Sequence, residues 1–406
     1  MRYDILIKNA RTRNYSDIVD IGIQNGKIVK IGSDLGNDAV EMLNADGGLV
    51  TESFVNGHLH LCKVYTLSMI GDEALKQYQG SSMGGAMTAI ELAARVKEKY
   101  DEKWIIDNVR KACMRAIQYG NTHIRAFADT DTKAKLEGVK ALLKAKEEFQ
   151  NSLDLQVVAF PQDGVIRDPG AEEYVRQSLE LGADVVGGIP WIEYTDEDAM
   201  EHINKMFDLA KRYNKGISML IDDAGDPTLK TLEMLCVKTI KEGWSGRVTA
   251  QHARAMCLYP EPYFRKVSAL IRKANLGVVS DPHTGPLHAR VKELYQMGVN
   301  VALGQDDIAD AYYPFGRNNM LEVAFLAAHL LWMTTFDDMN VLYDMITTRA
   351  AKALGIDDYG LEEGKAAHLV ILNAGTLWEA IWEHERPRYV IKDGKNVTLS
   401  ACSKRA

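Results

Sequence analysis

The chain of 406 residues has 48 Lys and Arg against 56 Asp and Glu, a formal net charge of −8, and is 46% hydrophobic. This mildly acidic composition is typical of a soluble globular protein and argues against nucleic acid or an anionic membrane as a partner. The longest nearly apolar run, Met320 to Met333, is too short to span a bilayer, and no signal peptide is evident. Five cysteines without paired spacing predict no disulfide framework and favour a cytoplasmic location.

The first fifty residues predict short strands separated by turns, with a strong hairpin signal at Asn25-Gly26. These strands are Tyr3–Lys8, Ile18–Ile23 and Lys27–Ile31. From residue 50 onward, eight apolar runs alternate with stretches of helical periodicity. The runs are Val50–His58, Thr122–Ala128, Leu155–Pro161, Asp184–Pro190, Ile217–Asp222, Arg247–His252, Gly277–Pro282 and Asn300–Asp306. The predicted helices are Glu102–Tyr119, Thr132–Phe149, Ala171–Leu181, Thr195–Tyr213, Leu229–Glu242, Pro260–Ala274 and Leu287–Met297.

Continuous apolar strands that alternate with helices predict an α/β protein whose parallel sheet is covered on both faces. Eight such units fit a closed (β/α)₈ TIM barrel better than an open doubly wound sheet. Strand-like patterns return at Gly364–Asn373 and Tyr389–Thr398, so we expect both termini to build one small β-sandwich domain. The predicted boundaries are 1–51 and 361–406 for the sandwich and 52–360 for the barrel.

Polar residues stand at the ends of the predicted strands, where a barrel carries its active site. His58 and His60 end the first strand, and residues at i and i+2 face the same way, so both imidazoles can reach one metal ion. A hydrogen-bonded surface pair is the alternative. Asp306 ends the eighth strand, where a carboxylate can ligate a metal and accept a proton from water, unless it only caps the next helix.

His252 ends the sixth strand. A neutral imidazole there can orient a hydrolytic water or stabilise a developing alkoxide, and a hydrogen-bonded core histidine is the alternative. Asp307 follows Asp306 directly, and for Asp307 a helix cap and a functional role are equally consistent with the sequence.

These residues belong to a set of motifs that resembles the cytosine deaminase-like branch of the amidohydrolase superfamily, which includes N-isopropylammelide isopropylaminohydrolases. The motifs come in the family order and cover nearly the whole chain. They are His58-Leu59-His60, Phe160-Pro161-Gln162, Gly187–Pro190, Thr249-Ala250-Gln251-His252, Gln305-Asp306-Asp307 and Tyr313-Pro314-Phe315-Gly316.

The resemblance implies a hydrolase with one divalent metal ion, zinc or iron with manganese as a further option, that adds water to a ring carbon bearing an amino group. His58, His60 and Asp306 would then be ligands, and His252 would contact the hydrolytic water. Gln162 and Asp307 would hydrogen-bond the heterocycle.

One departure from the family concerns the metal site. The family's fifth strand supplies another ligating histidine, but Leu220 stands at that position and cannot bind metal. Strand alternation puts Asp222 on the same face as Leu220, so we expect Asp222 to replace the missing ligand or to act as the acid or base. Asp223 matches the family's proton-shuttling glutamate and is one methylene shorter. The alternative is that both aspartates cap the following loop.

Other substitutions indicate an altered substrate. Lys63 can meet an anionic group of the substrate or remain solvated, and Trp191 can stack on a planar ring or pack under a lid. We predict a homo-oligomeric, metal-dependent aminohydrolase (deaminase) that acts on a C–N bond of a small nitrogen heterocycle. Two alternatives remain open. One is a hydrolase that opens a cyclic amide or urea ring, and the other is a ligand-binding pseudoenzyme that lost its metal with Leu220.

Overall fold

The computed structural model describes residues 2–78 and 83–399. The strands of the described part are β1 Tyr3–Ala10, β2 Val19–Gln24, β3 Lys27–Gly32, β4 Ala39–Asn44, β5 Val50–Glu52, β6 Phe54–Leu59, β7 Asn121–Asp129, β8 Asp154–Phe160, β9 Val185–Gly188, β10 Gly216–Ile221, β11 Val248–His252, β12 Gly277–Ser280, β13 Val301–Leu303, β14 Leu369–Ile371, β15 Tyr389–Lys392 and β16 Lys395–Asn396. Its helices are α1 Leu67–Ile70, α2 Glu73–Tyr78, α3 Met83–Lys97, α4 Glu102–Gln118, α5 Glu137–Phe149, α6 Ala171–Leu181, α7 Asp196–Tyr213, α8 Thr231–Glu242, α9 Glu261–Ala274, α10 Val291–Gln296, α11 Met320–Leu330, α12 Phe336–Met345, α13 Thr348–Leu354 and α14 Leu377–Glu383.

Strands β6 to β13 form a parallel sheet in which each strand pairs with the next one along the chain. The first and last strands also meet, because Leu59 and Asp306 form a parallel bridge. The backbone N–H of His60 donates to the carbonyl of Asp306 over 2.8 Å, and the N–H of Asp306 donates to the carbonyl of His58 over 2.9 Å. The predicted TIM barrel is therefore confirmed, and the residues that close it are those of the predicted site.

The helices around the barrel bury one face each. In α9, for example, the buried residues Phe264, Val267 and Ile271 recur every three or four positions, which places them on one side of the helix. None of the described helices is long and apolar enough to cross a bilayer.

Both termini build the small β domain beside the barrel. One sheet has the order β3-β2-β1-β4 and the other has the order β16-β15-β14-β5. Buried side chains from the two sheets pack in one cluster, with Ile7 and Ile21 on one side and Leu369 and Ile391 on the other. The hairpin turn between β2 and β3 has positive φ angles of 51° and 77° at Asn25 and Gly26, as the sequence predicts.

Most predicted bounds shift by a few residues, and two of the errors have a clear physical cause. The run Val50–His58 is not one strand, because it is divided at Ser53 between β5 of the sandwich and β6 of the barrel. The N–H of Ser53 donates to the carbonyl of His368 in the sandwich. The predicted helix Thr132–Phe149 begins only at Glu137, since Thr132 lies in a loop where its N–H and hydroxyl both donate to Asp168.

Three strand ends adopt a left-handed backbone. Asp222, His252 and Asp306 have φ angles of 46°, 66° and 67°. A positive φ is uncommon outside glycine and concentrates at functional sites. It also ends the strict alternation of side chains along a strand, which decides where each of these three side chains points.

Candidate active site

Four buried side chains converge at the carboxyl ends of the barrel strands. Asp306 Oδ1 lies 3.2 Å from His58 Nε2, 3.8 Å from His60 Nε2 and 3.8 Å from His252 Nε2. One ligand atom from each of the four residues lies within 4.8 Å of the others, and each residue is at most 3% exposed. The sequence predicted this convergence from strand ends that are far apart along the chain.

The histidine nitrogens of this group fit a metal ion. Both ring nitrogens of His58 and the Nδ1 of His60 are buried without a hydrogen bond. Leaving such atoms unsatisfied in a buried site is costly. Three imidazoles and one carboxylate around a single point form a ligand set typical of zinc or iron.

The charges around the group favour ligand forms of Asp306 and His60. Burial alone would raise the pKa of Asp306, but the neighbouring His252 and His58 hold it well below its usual range. Burial, together with the charges of Lys63 and His58, keeps the pKa of His60 well below its usual value. Asp306 is therefore a carboxylate and His60 a neutral imidazole, the forms that bind metal.

His252 is oriented by a second carboxylate. Its Nδ1 lies 3.3 Å from Oδ2 of Asp281, a residue just beyond β12. Burial lowers the pKa of His252, but Asp223, Asp306 and Asp281 outweigh it and raise the pKa to about 9. A carboxylate on the far nitrogen of a metal-binding histidine is a recurring arrangement that fixes the ring. The sequence reasoning missed Asp281, although its place at the end of the seventh strand was a signal.

The structure does not bring Asp222 to this group, and its predicted roles as ligand and as acid or base are corrected here. Its Oδ1 accepts hydrogen bonds from the N–H and hydroxyl of Thr231, and its Oδ2 accepts from the N–H of Leu232 and the hydroxyl of Tyr259. Asp222 therefore caps the start of α8. Strand alternation stops at Ile221 because Asp222 has a left-handed backbone, so its side chain leaves the face that Leu220 occupies.

Asp223, in contrast, faces the site. It lines the cavity above the four converging residues, and its Oδ1 lies 2.5 Å from Nε of Arg254. The sequence reasoning did not select Arg254. The signal was a basic residue two positions after the histidine of β11.

The cavity has an apolar wall and a polar wall. It encloses about 30 Å³, room for about one water molecule. The residues that line it are His60, Lys63, Ile90, Gln162, Ile189, Trp191, Leu220, Asp223, His252, Asp306, Asp307 and Tyr312. All four predicted substrate-binding residues, Lys63, Gln162, Trp191 and Asp307, are among them.

The polar wall is a connected, buried network. Lys63 Nζ donates to Gln162 Oε1 over 2.8 Å and lies 4.5 Å from the ring centroid of Tyr312. Burial and the charges of Asp306 and Asp310 raise the pKa of Asp307 well above its usual value. This wall can therefore offer both donors and acceptors to the edge of a ring.

The apolar wall includes Leu220, which is 3% exposed and packs in one cluster with Trp191, Ile189 and Ile90. The indole Nε1 of Trp191 is buried without a hydrogen-bond partner. An indole with this placement can stack on a planar ligand.

Residues 41–398 match the model of the amidohydrolase family. The chain belongs to the amidohydrolase family. It is 32% identical over 395 residues to the N-isopropylammelide isopropyl amidohydrolase of Pseudomonas sp. strain ADP, covering 97% of this chain and 96% of that relative. The predicted family is thus confirmed, and this amidohydrolase is a hydrolase that acts on C–N bonds.

Solved structures agree with this assignment. The 5-methylcytosine deaminase from Klebsiella pneumoniae liganded with 5-fluorocytosine superposes with a TM-score of 0.87 at 30% identity, covering 97% of each chain. The N-isopropylammelide isopropylaminohydrolase from Burkholderia multivorans superposes with a TM-score of 0.81 at 26% identity, again covering 97% of each chain. The amidohydrolase described here therefore shares both the barrel and the small β domain with its relatives.

Proposed function

We propose that this amidohydrolase uses one divalent metal ion to release an amino or alkylamino group from a ring carbon of a small nitrogen heterocycle. The observation that carries the proposal is the convergence of His58, His60, His252 and Asp306 within 4.8 Å beside a cavity with one apolar and one polar wall. Relatives named for N-isopropylammelide and 5-methylcytosine support the substrate class.

His58, His60, His252 and Asp306 would hold the ion, with His252 in the place for which the sequence suggested Asp222. When bound, such an ion lowers the pKa of water and polarises the carbon under attack. Zinc, iron and manganese all suit this donor set. His252 would then hold the ion directly instead of only contacting the water.

The remaining residues bind the ring and move protons. Trp191 stacks against one ring face, while Lys63, Gln162 and Asp307 hydrogen-bond the polar edge. Asp223 carries a proton from the attacking water to the leaving nitrogen through Oδ2, the oxygen that is not paired with Arg254 Nε. The products are a ring carbonyl and ammonia or an amine.

We also propose that the protein is a cytoplasmic homo-oligomer. Large aromatic side chains of α12, α14 and the turn after α11 are exposed, with Trp332 79% and Phe336 74% accessible and Trp382 beside a groove of about 380 Å³. Exposed apolar patches of this kind mark interaction surfaces. The cysteines of the described residues are free thiols, which suits a reducing compartment.

The test combines elemental analysis with a substrate screen on purified protein. We expect about one equivalent of zinc, iron or manganese per chain, and release of ammonia or an amine from pyrimidines, triazines or cyclic guanidines. Product mass separates deamination, which exchanges NH for O, from ring opening, which adds a whole water. Asp306→Asn should abolish both metal binding and turnover, whereas the exposed Asp196→Asn should change neither. A metal-free protein with full activity would contradict the proposal.

A further inference from the structure

Arg254 is a buried cation directly behind the converging ligands. Its side chain is 6% exposed. It arrives there because His252 and Ala253 both have a left-handed backbone, with φ of 66° and 50°, after which Arg254 begins a short 3₁₀ turn. A buried guanidinium is stable only when its charge is compensated, so its partners indicate what it does.

Arg254 contacts two carboxylates of the site at once. Its Nε lies 2.5 Å from Asp223 Oδ1, and its Nη2 lies 3.4 Å from Asp306 Oδ2. Nη2 also donates to the hydroxyl of Thr284 over 2.8 Å, and this hydroxyl donates to Asp306 Oδ2 over 2.6 Å. Both donors therefore engage the same oxygen of Asp306.

This arrangement divides the two oxygens of Asp306 between two tasks. Oδ2 is held by Arg254 and Thr284, so Oδ1 alone faces the histidine nitrogens, at 3.2 Å and 3.8 Å. A carboxylate fixed in this way offers a metal ion one oxygen rather than two. Asp223 is held by the same guanidinium on the cavity side.

The absence of a side chain at Gly285 makes room for the guanidinium. A side chain at Gly285 would overlap Nη1 of Arg254, and the φ of Gly285, −165°, is one that any residue can adopt. A Cβ at position 285 would therefore push the guanidinium of Arg254 out of its present place. Glycine at this position leaves the space that the guanidinium occupies.

We propose that Arg254 is a positioning residue that fixes the ligand carboxylate of Asp306 and the proton-transferring carboxylate of Asp223 through a single guanidinium. This inference rests on the proposed function. It assigns to Arg254 a role that the family motifs in the sequence did not indicate. A lysine would keep the charge but cannot reach both carboxylates with a planar fork.

The test compares Arg254→Lys and Arg254→Gln with Arg247→Gln, an exposed arginine just before the other end of β11 that bonds to Asn214. The first readout is the visible absorption spectrum of cobalt-substituted protein, which reports ligand geometry without any substrate. Both Arg254 variants should change the cobalt spectrum and speed metal loss to a chelator about tenfold or more. The Arg247 variant should match the parent.

The second readout is kinetic. Misplacing catalytic groups by about 1 Å costs about 100-fold in rate, so kcat should fall by about this factor while KM stays within about threefold. Although Arg254→Lys keeps the positive charge, its kcat should be as low as that of Arg254→Gln. Thr284→Val removes a donor to the same oxygen of Asp306 without changing charge, and it should shift the cobalt spectrum in the same direction even if the Arg254 variants do not fold.

The outcomes separate this inference from the proposed function. If the parent protein binds cobalt but turns over no heterocycle, the proposed function is wrong. The cobalt spectra of the parent and of the Arg254 variants then still decide whether Arg254 positions the two carboxylates. If the cobalt spectra and chelator rates of the folded Arg254 variants, or of Thr284→Val, equal those of the parent, the positioning role is wrong.

Discussion

Replacing Asp222 with asparagine separates a structural role of this residue from a catalytic one. Each carboxylate oxygen accepts two hydrogen bonds, and the side chain is fully buried. Asparagine keeps one acceptor oxygen but puts an NH₂ group in place of the other. The hydroxyl of Tyr259 can rotate to accept from that group, whereas the N–H of Leu232 has lost its acceptor.

The expected loss of stability follows from these contacts. An unsatisfied buried donor costs about 1–3 kcal/mol, and losing a negative charge at a helix N-terminus costs about 0.3–1 kcal/mol. Burial raises the pKa of Asp222 although its four hydrogen bonds lower it, so desolvation of the carboxylate outweighs these hydrogen bonds and keeps the expected loss below the upper end of these costs. We therefore expect a loss of about 2 kcal/mol. With an unfolding entropy of about 2 cal/mol/K per residue, this lowers the Tm of a chain of this size by about 2–3 °C.

The assay pairs thermal unfolding with metal analysis. Asp222→Asn should lower the Tm and keep the parental metal content and kcat, because its side chain lies away from the converging ligands. Asp223→Asn is the matched neighbour, and it should reduce kcat at full metal content. If Asp222→Asn instead loses the metal at an unchanged Tm, then Asp222 is a ligand and the assignment of its carboxylate to the cap of α8 is wrong.

Two further predictions concern other residues. Leu220→His places an imidazole in the cavity wall and should slow zinc loss to a chelator by about tenfold or more, and an unchanged rate would show that position 220 is out of reach of the ion. Burial and the nearby His123 lower the pKa of His368 to about 4. The unfolded chain, with a pKa near 6.5, therefore takes up this proton first, and stability should fall by about 3 kcal/mol as the pH drops from about 6.5 to about 4. Urea unfolding across this range should show a flatter profile for His368→Gln, and parallel profiles would refute the assignment.

The architecture was predictable because strand and helix periodicities are local signals. Ala171–Leu181 begins and ends at the predicted residues, and the bounds of most other elements shift by a few positions. The failure at Val50–His58 has a different cause. Both halves of this run are buried, so the apolar pattern is continuous, although its first half pairs with β14 and its second half with β7. The run is therefore divided only by the pairing of its two halves with strands that are distant in the sequence. A local apolar pattern does not reveal such pairing.

The strand ends were a sound guide to the site for His58, His60, His252 and Asp306, although the last two have a left-handed backbone, but strand alternation failed for Asp222. His58 and His60 lie on one face as their spacing requires. Asp222 was expected on the face of Leu220, but its φ of 46° directs the carboxylate to α8. The direction of the Arg254 side chain depends in the same way on the left-handed backbone of Ala253. Nothing in the sequence predicts a positive φ at this alanine.

The charges of the site explain how it can lack a ligand on β10. Three carboxylates, those of Asp223, Asp281 and Asp306, lie around the histidines, and each is paired with a histidine or with Arg254. Without a metal ion, the pKa of about 9 keeps a proton on His252. If a divalent ion replaced that proton, Arg254 would leave two of these three negative charges uncompensated, which is the charge of a single divalent ion. Leu220 removes a neutral donor and leaves this balance unchanged. Under the proposed function, a single ion would therefore be held by His252 on β11 instead of by a ligand on β10.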